Sequence, residues 1–323
     1  MEEVIWMNVR KYSQSIKRMP KVSVIVPVFR TEDYIRDCIK SLQKQTVRDL
    51  EFLLIDDCGG DGSMAIAQEM AQDDSRLKII TYPSNLGPMM ARYNGVVEAT
   101  GDYITFCDSD DILPDNSIEL LLSAAEKSKA DVVSGNAEYF FANGNRKRWN
   151  NTLSFGGDKV SVYKSLLTEE YTHTLWGKLY RSDLLKNHTY SHFEHFTNGE
   201  DAIFLYEIVD NIVFAVTIPE VVYYYRQTPN SSTQLRFNRQ KLENVVVSGA
   251  MMYKKCIQYP ELTTITYNYF SKWLNELYAK GYNKDGVLDA LVKDYHLEEL
   301  LRPFDVLRYL PLYAKQLLKR CIR

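Results

Sequence analysis

The sequence predicts an α/β fold, a mostly parallel sheet with helices on both faces, followed by a helical C-terminal region. Three observations predict it. Short β-branched and aromatic runs recur at residues 22–27, 51–55, 77–81 and 103–107. Between them lie stretches with apolar residues at helical spacing, which is the pattern of right-handed βαβ units. Two of the runs stop abruptly in carboxylates, at Asp56-Asp57 and at Asp108-Ser109-Asp110-Asp111. The carboxyl ends of strands are where open α/β sheets keep their ligands.

Taken in order, residues 1–20 are a mildly basic extension without a strong pattern. Pro27 ends the first strand, and Thr31 is the expected N-cap of a helix with the stripe Ile35, Cys38, Ile39 and Leu42. The second strand leads through Cys58-Gly59-Gly60-Asp61-Gly62 into a helix with Ala65, Ile66 and Met70. After the third strand, Asn85-Leu86-Gly87-Pro88 is a turn that sets Pro at the first helical position, and that helix runs to about residue 99. The fourth strand follows Gly101. Beyond Pro114 a helix carries Ile118, Leu121, Leu122 and Ala125, and 130–134 reads as another strand. The pattern then changes to a hairpin of 138–142 and 149–155 around a basic tip at 143–148. A helix opens at Glu200, strands follow at 213–217 and 221–225, and the chain is helical and tyrosine-rich after Ser232.

Composition excludes several classes. At 323 residues the chain can bury a substantial core, and 45% hydrophobic with 25% charged residues is ordinary for a globular protein. A formal net charge of −3 gives no global nucleic-acid footprint, so no nucleic-acid partner is expected. The five scattered cysteines match a reducing compartment. The first residues lack an apolar segment, so no signal peptide is expected, and no apolar run approaches the ~20 residues that span a bilayer. The expected location is cytoplasmic, free or on the inner face of a membrane.

The chemistry gathers at the strand ends. Neighbouring carboxylates repel, and a hard divalent ion held by one or two aspartates plus phosphate oxygens is the usual remedy. The plainer reading is an acidic turn, because Asp is a favoured turn residue. No Gly-x-Gly-x-x-Gly and no Gly-Lys-Ser/Thr follows the first strand, which argues against dinucleotide oxidoreductases and P-loop NTPases. Glu200-Asp201 is a second acidic pair. Its plain reading is a pair suited to a helix N-terminus, where acids complement the dipole.

Seven stretches, in order, resemble GT-A fold family 2 glycosyltransferases of the bacterial capsule, exopolysaccharide and O-antigen type. They are KVSVIVPVFR, FLLIDDCGGDGS, NLGPMMARYNG, GDYITFCDSDD, WGKLYRSDLL, NGEDAIF and YYYRQTPNSS. The resemblance implies a GT-A domain over 21–232, with a helical region over 233–323. It further implies Pro27, Phe29, Glu32, Asp57, Arg92, Asp108 and Ser109 as donor-nucleotide residues. Asp110, with Asp108, becomes the ligand of Mn²⁺ or Mg²⁺, and Asp201 the catalytic base. Glu200, Trp176 and Lys178 become acceptor-binding residues, with Trp176 either a sugar platform or core. The implied partners are a UDP-sugar and a glycan acceptor linked to a polyprenyl diphosphate. The chain departs from the pattern at Phe29, Arg30 and Cys58, and Arg92-Tyr93-Asn94-Gly95 displaces the usual asparagine.

Weaker signals remain. His188, His192 and His195 are spaced like zinc ligands but lack cysteine partners, so an exposed or acceptor-lining role is expected. Arg226 and Ser231 either close over the diphosphate or end a strand. Over 304–323, Leu307, Leu310, Ala314 and Leu317 fall on one helical face, with Arg308, Lys315, Lys319 and Arg323 on another. That face suits either an anionic membrane surface or the domain's own core. A non-catalytic scaffold subunit and a sugar nucleotidyltransferase are the alternative functions.

Overall fold

The computed structural model describes residues 21–141, 145–149, 157–190, 194–228, 238–283 and 285–301. The expected extension 1–20, most of the second hairpin strand, His192, Ser231 and the basic amphipathic segment 304–323 lie outside the described residues.

Strands β1 (Val22–Val28), β2 (Leu50–Asp56), β3 (Leu77–Thr81) and β4 (Tyr103–Phe106) alternate with helices α1 (Ile35–Gln43), α2 (Ser63–Ala71) and α3 (Pro88–Glu98), as the periodicity predicts. They pair parallel in the order β3-β2-β1-β4. Helix α4 (Ser117–Ser128) leads to β5 (Val132–Phe141), and β6 is Arg146–Trp149. Helix α5 (Lys159–Leu167), β7 (Lys178–Arg181), α6 (Ser182–Lys186), α7 (Glu200–Val209) and β8 (Ala215–Gln227) follow. Strand β7 inserts antiparallel between β4 and β5, and β8 pairs parallel with β5. The sheet is therefore mixed, with its parallel half carrying the two acidic strand ends.

Three local expectations are corrected. Thr31 does not cap α1, because its hydroxyl donates to Ser109 Oγ (3.0 Å) and the helix begins at Ile35. The expected separate strands 130–134 and 138–142 are one strand, β5, and 213–217 and 221–225 are one strand, β8. Pro219 interrupts the ladder where the register shifts near Ser134 and Asn136, and its carbonyl accepts from Asn136 Nδ2 (2.8 Å). The basic run Arg146-Lys147-Arg148 is not a loop tip but lies within β6.

Each face of the sheet buries its own apolar set. On one, Val24 and Val26 meet Ile35, Ile39 and Leu42 of α1 with Ile118 and Leu121 of α4. Full burial of each such Ile or Leu contributes roughly 1.5–3 kcal/mol. On the other, Ile25 and Phe106 belong to a core that runs through Phe204 of α7 into the C-terminal helices α8 (Arg239–Cys256), α9 (Thr263–Ala279) and α10 (Val287–Asp294). The helices after residue 237 thus share the sheet's core.

Gly101 lets the chain enter β4. A Cβ there would lie 2.7 Å from the backbone nitrogen of Ser23. Gly101→Ala is expected to destabilise the fold by roughly 1–3 kcal/mol through this overpacking. The measurement is a lower urea midpoint at unchanged m-value.

Candidate active site

Strand β4 delivers the acidic stretch, and β8 sorts its carboxylates. The Tyr223 hydroxyl donates to Asp111 Oδ2 (2.7 Å) and accepts from the Asp108 backbone N–H (3.0 Å). The Arg226 backbone N–H donates to Asp111 Oδ1 (2.7 Å). Asp111, fully buried, is thus spent on holding the turn, and burial pushes its carboxyl well above the usual range. The Arg226 side chain also donates to the Asp110 carbonyl (2.7 Å), so Tyr223 and Arg226 of β8 hold the turn through four hydrogen bonds.

Asp108 and Asp110 remain. Asp108 Oδ1 accepts from Arg92 Nη2 at 2.7 Å. Asp110 has no side-chain hydrogen-bond partner among the described residues, and burial with the neighbouring Asp108 charge pushes its carboxyl up to about 6.

Arg92, buried in α3, is the hub. Its Nη1 lies 3.3 Å from Asp201 and 3.9 Å from Glu200. Burial opposes its charge, but Asp201, Asp108 and Glu200 together outweigh that cost and keep it cationic. Among the described residues, its Nε and Nη1, and Asp201 Oδ1, are buried without a hydrogen-bond partner. Burial and Asp201 push Glu200 up to about 7. Burial also raises Asp201, against the pull of Arg92, and its Oδ2 accepts from the Leu175 N–H (3.3 Å). Both acids open α7, and Gly199 before them has φ 113°, where a Cβ would meet Ser248 Oγ at 2.5 Å. Only glycine suits that entry.

The other expected residues are placed as follows. Pro27 is half-buried near the end of β1. Phe29 is 42% exposed, with the Arg30 guanidinium 5.0 Å from its ring centre, so a stacking face is available. Glu32 accepts from the Gly62 N–H (2.9 Å) and ties the β1 and β2 loops together. Asp57 accepts from Leu86 N–H (2.8 Å), Gly87 N–H (3.2 Å) and Asn85 Nδ2 (2.9 Å), so the 85–87 turn occupies its carboxylate. Ser109 is buried against Thr31.

Two expected acceptor residues lie inside the protein. Trp176, 4% exposed, stacks on Tyr223 with ring centres 4.5 Å apart, and Lys178 is fully buried. As placed, neither presents a surface to an acceptor. Tyr223 and Asp111 were missed as turn-holders; the apolar-aromatic run ahead of Arg226 was the available signal. His195 Nδ1 lies 3.3 Å from Asn85 Oδ1, and His188 packs edge-on against Tyr190.

Residues 23–196 match the family described as glycosyl transferase family 2. The chain belongs to glycosyl transferase family 2. It is 30% identical over 227 residues to the uncharacterized glycosyltransferase EpsJ of Bacillus subtilis, covering 68% of this chain and 64% of that one. Over 188 residues it is 31% identical to the GalNAc(5)-diNAcBac-PP-undecaprenol beta-1,3-glucosyltransferase of Campylobacter jejuni, covering 50% and 60%. In fold it resembles S. aureus TarS 1-349 in complex with UDP-GlcNAc (TM-score 0.68, 19% identity, 85% and 80% covered). It also resembles the Pyrobaculum calidifontis mannosyltransferase PcManGT in complex with GDP-Man and Mn²⁺ (TM-score 0.55, 15% identity, 97% and 93% covered).

The donor set of this family 2 chain suits a divalent cation. Among the described residues no group of three or more His, Cys, Asp or Glu is arranged to hold a metal. Two hard carboxylates, Asp108 and Asp110, are the kind of set that binds Mg²⁺ or Mn²⁺ jointly with phosphate oxygens. No described helix is long and apolar enough to cross a membrane.

Proposed function

We propose that this chain transfers a sugar, with inversion, from a UDP-sugar to a hydroxyl of a bacterial glycan. The observation that carries the reading is Arg92, which draws Asp108 at the end of β4 and Asp201 at the start of α7 onto one guanidinium. Inverting transfer needs leaving-group chemistry and a base on opposite sides of one sugar carbon.

In this reading the acceptor oxygen bonds to the anomeric carbon while that carbon's bond to the diphosphate oxygen breaks. Asp201 takes the acceptor's proton, and UDP departs with the bonding electron pair. Glu200 orients the acceptor, while Pro27, Phe29 and Asp57 border the donor base. Arg92 keeps the acidic pocket compatible with an anionic donor. Asp108 and Asp110 would hold a Mn²⁺ or Mg²⁺ ion, which would supply Lewis-acid stabilisation of the diphosphate.

The acceptor we infer is linked to a polyprenyl diphosphate, a reading supported by the undecaprenol-linked acceptor in the Campylobacter relative's name. Segment 304–323 then rests on the inner face of the cell membrane through its basic residues.

Thermal unfolding tests the donor site. UDP at a hundredfold excess over its Kd stabilises by ~2.7 kcal/mol, and the expected outcome is that it does so only with Mn²⁺ present. The effect is expected to fade as pH falls through about 6, where Asp110 takes up a proton and ceases to be a ligand. The apo protein moves oppositely. A carboxyl raised by folding binds protons that the unfolded chain sheds, so apo stability rises as pH falls from about 6 toward the ordinary Asp value. Absence of any nucleotide response refutes the enzyme reading and favours a scaffold.

A further inference from the structure

A fully buried lysine behind the proposed base has no role in the chemistry described so far. Lys178 opens β7, and its Nζ donates to the Thr172 carbonyl (3.2 Å), the Thr172 hydroxyl (3.0 Å) and the Thr174 carbonyl (2.5 Å). The ammonium also lies 4.7 Å from the centre of the Tyr171 ring. Removing an ammonium from water is costly unless its donors are met. Here all of them are spent on one short loop. The residue after Thr174 is Leu175, whose N–H provides the one hydrogen bond that Asp201's carboxylate accepts among the described residues. The Leu175 carbonyl accepts from the Tyr180 hydroxyl (3.2 Å), so β7 grips this loop twice.

We propose that Lys178 is a positioning residue: it fastens loop 172–175 so that the Leu175 N–H aims the Asp201 carboxylate. This rests on the reading of Asp201 as the base. An apolar side chain could fill the same space, but it could not bind two carbonyls and a hydroxyl at once. Misplacing a reacting group by about 1 Å can cost ~10²-fold in rate, so a loop that fixes a carboxylate has a measurable function.

The test is a cycle of Lys178→Met, Asp201→Asn and the double variant. The readouts are UDP release with Mn²⁺ and thermal stabilisation by UDP with Mn²⁺. The donor is whichever of UDP-glucose, UDP-galactose, UDP-GlcNAc and UDP-GalNAc wild type turns over fastest. For Lys178→Met, kcat is expected to fall roughly 10–100-fold, with donor KM and UDP stabilisation within about twofold. The double variant is expected to be no slower than Asp201→Asn, because both changes act through one carboxylate.

A folded Lys178→Met variant with near-normal kcat, beside an inactive Asp201→Asn, overturns this proposal alone. Multiplying losses in the double variant overturn it too. Near-normal turnover in Asp201→Asn overturns both this proposal and the base reading. If Lys178→Met fails to fold, Thr172→Val with Thr174→Val removes the hydroxyl acceptor while both carbonyls stay, so a smaller kcat loss than for Lys178→Met is expected, and unchanged kcat there counts against the proposal.

Discussion

Asp201→Asn is expected to lower sugar transfer by roughly 10²–10⁴-fold, the usual contribution of a positioned general base. The substitution keeps the shape of the side chain and removes the proton-accepting charge. The Leu175 N–H can still donate to the amide oxygen, so the start of α7 keeps its packing. Stabilisation by UDP with Mn²⁺ is expected to stay near wild type, because Asp108 and Asp110 are untouched. Transfer is read as radiolabelled sugar incorporated into acceptor, alongside the UDP thermal shift. Near-normal turnover sinks the assignment of the base.

Arg92→Met is expected to have the broadest effect, acting on stability and activity together. Arg92 is buried and faces three acids, with Asp108 at 2.7 Å, Asp201 at 3.3 Å and Glu200 at 3.9 Å. Removing one partner of a buried ionic cluster typically costs ~3–5 kcal/mol, because the remaining charges lose their compensation. Here the loss should sit near the low end, since the three carboxylates are each about one-fifth to one-quarter exposed. The measurement is a lower urea midpoint at neutral pH. Part of that loss is expected to return on acidification, as Glu200, already pushed up to about 7, takes up a proton and reduces the repulsion. An Arg92→Met variant as stable as wild type at pH 7 would falsify the hub description.

Much of the fold was readable because its signals are local. The stripe Ile35, Cys38, Ile39 and Leu42 is buried as its spacing predicts, and 77–81 is a strand with the predicted bounds. Pro88 starts a helix because its ring presets φ and it lacks the N–H that the first turn leaves unpaired. Local preference gives way where a distant partner overrides it. Thr31 has the chemistry of an N-cap, yet Ser109 lies within reach and takes its hydroxyl. Residues 213–217 and 221–225 read as two strands, yet the Asn136 side-chain amide from β5 uses the Pro219 carbonyl between them, and β8 continues. The resemblance implies Lys178 as an acceptor-binding residue, and nothing nearby in sequence announces that Thr172 and Thr174 will surround it.

By itself, the sequence established the alternation of strands and helices, the acidic strand end, and the set of residue types from which a site could be built. Hydrophobic period and turn chemistry act over a few neighbours, so they can be read along the chain. Tertiary structure alone decided how those acids divide their roles. Asp108 is paired with Arg92, Asp110 accepts from no other described side chain, Asp111 is consumed by Tyr223, and Asp201 is brought onto the same guanidinium from the far end of the domain. A carboxylate's role depends on its burial and on the charges that face it. In this chain those neighbours come from elements far apart in sequence, as with Asp111 and Arg226, 115 positions apart.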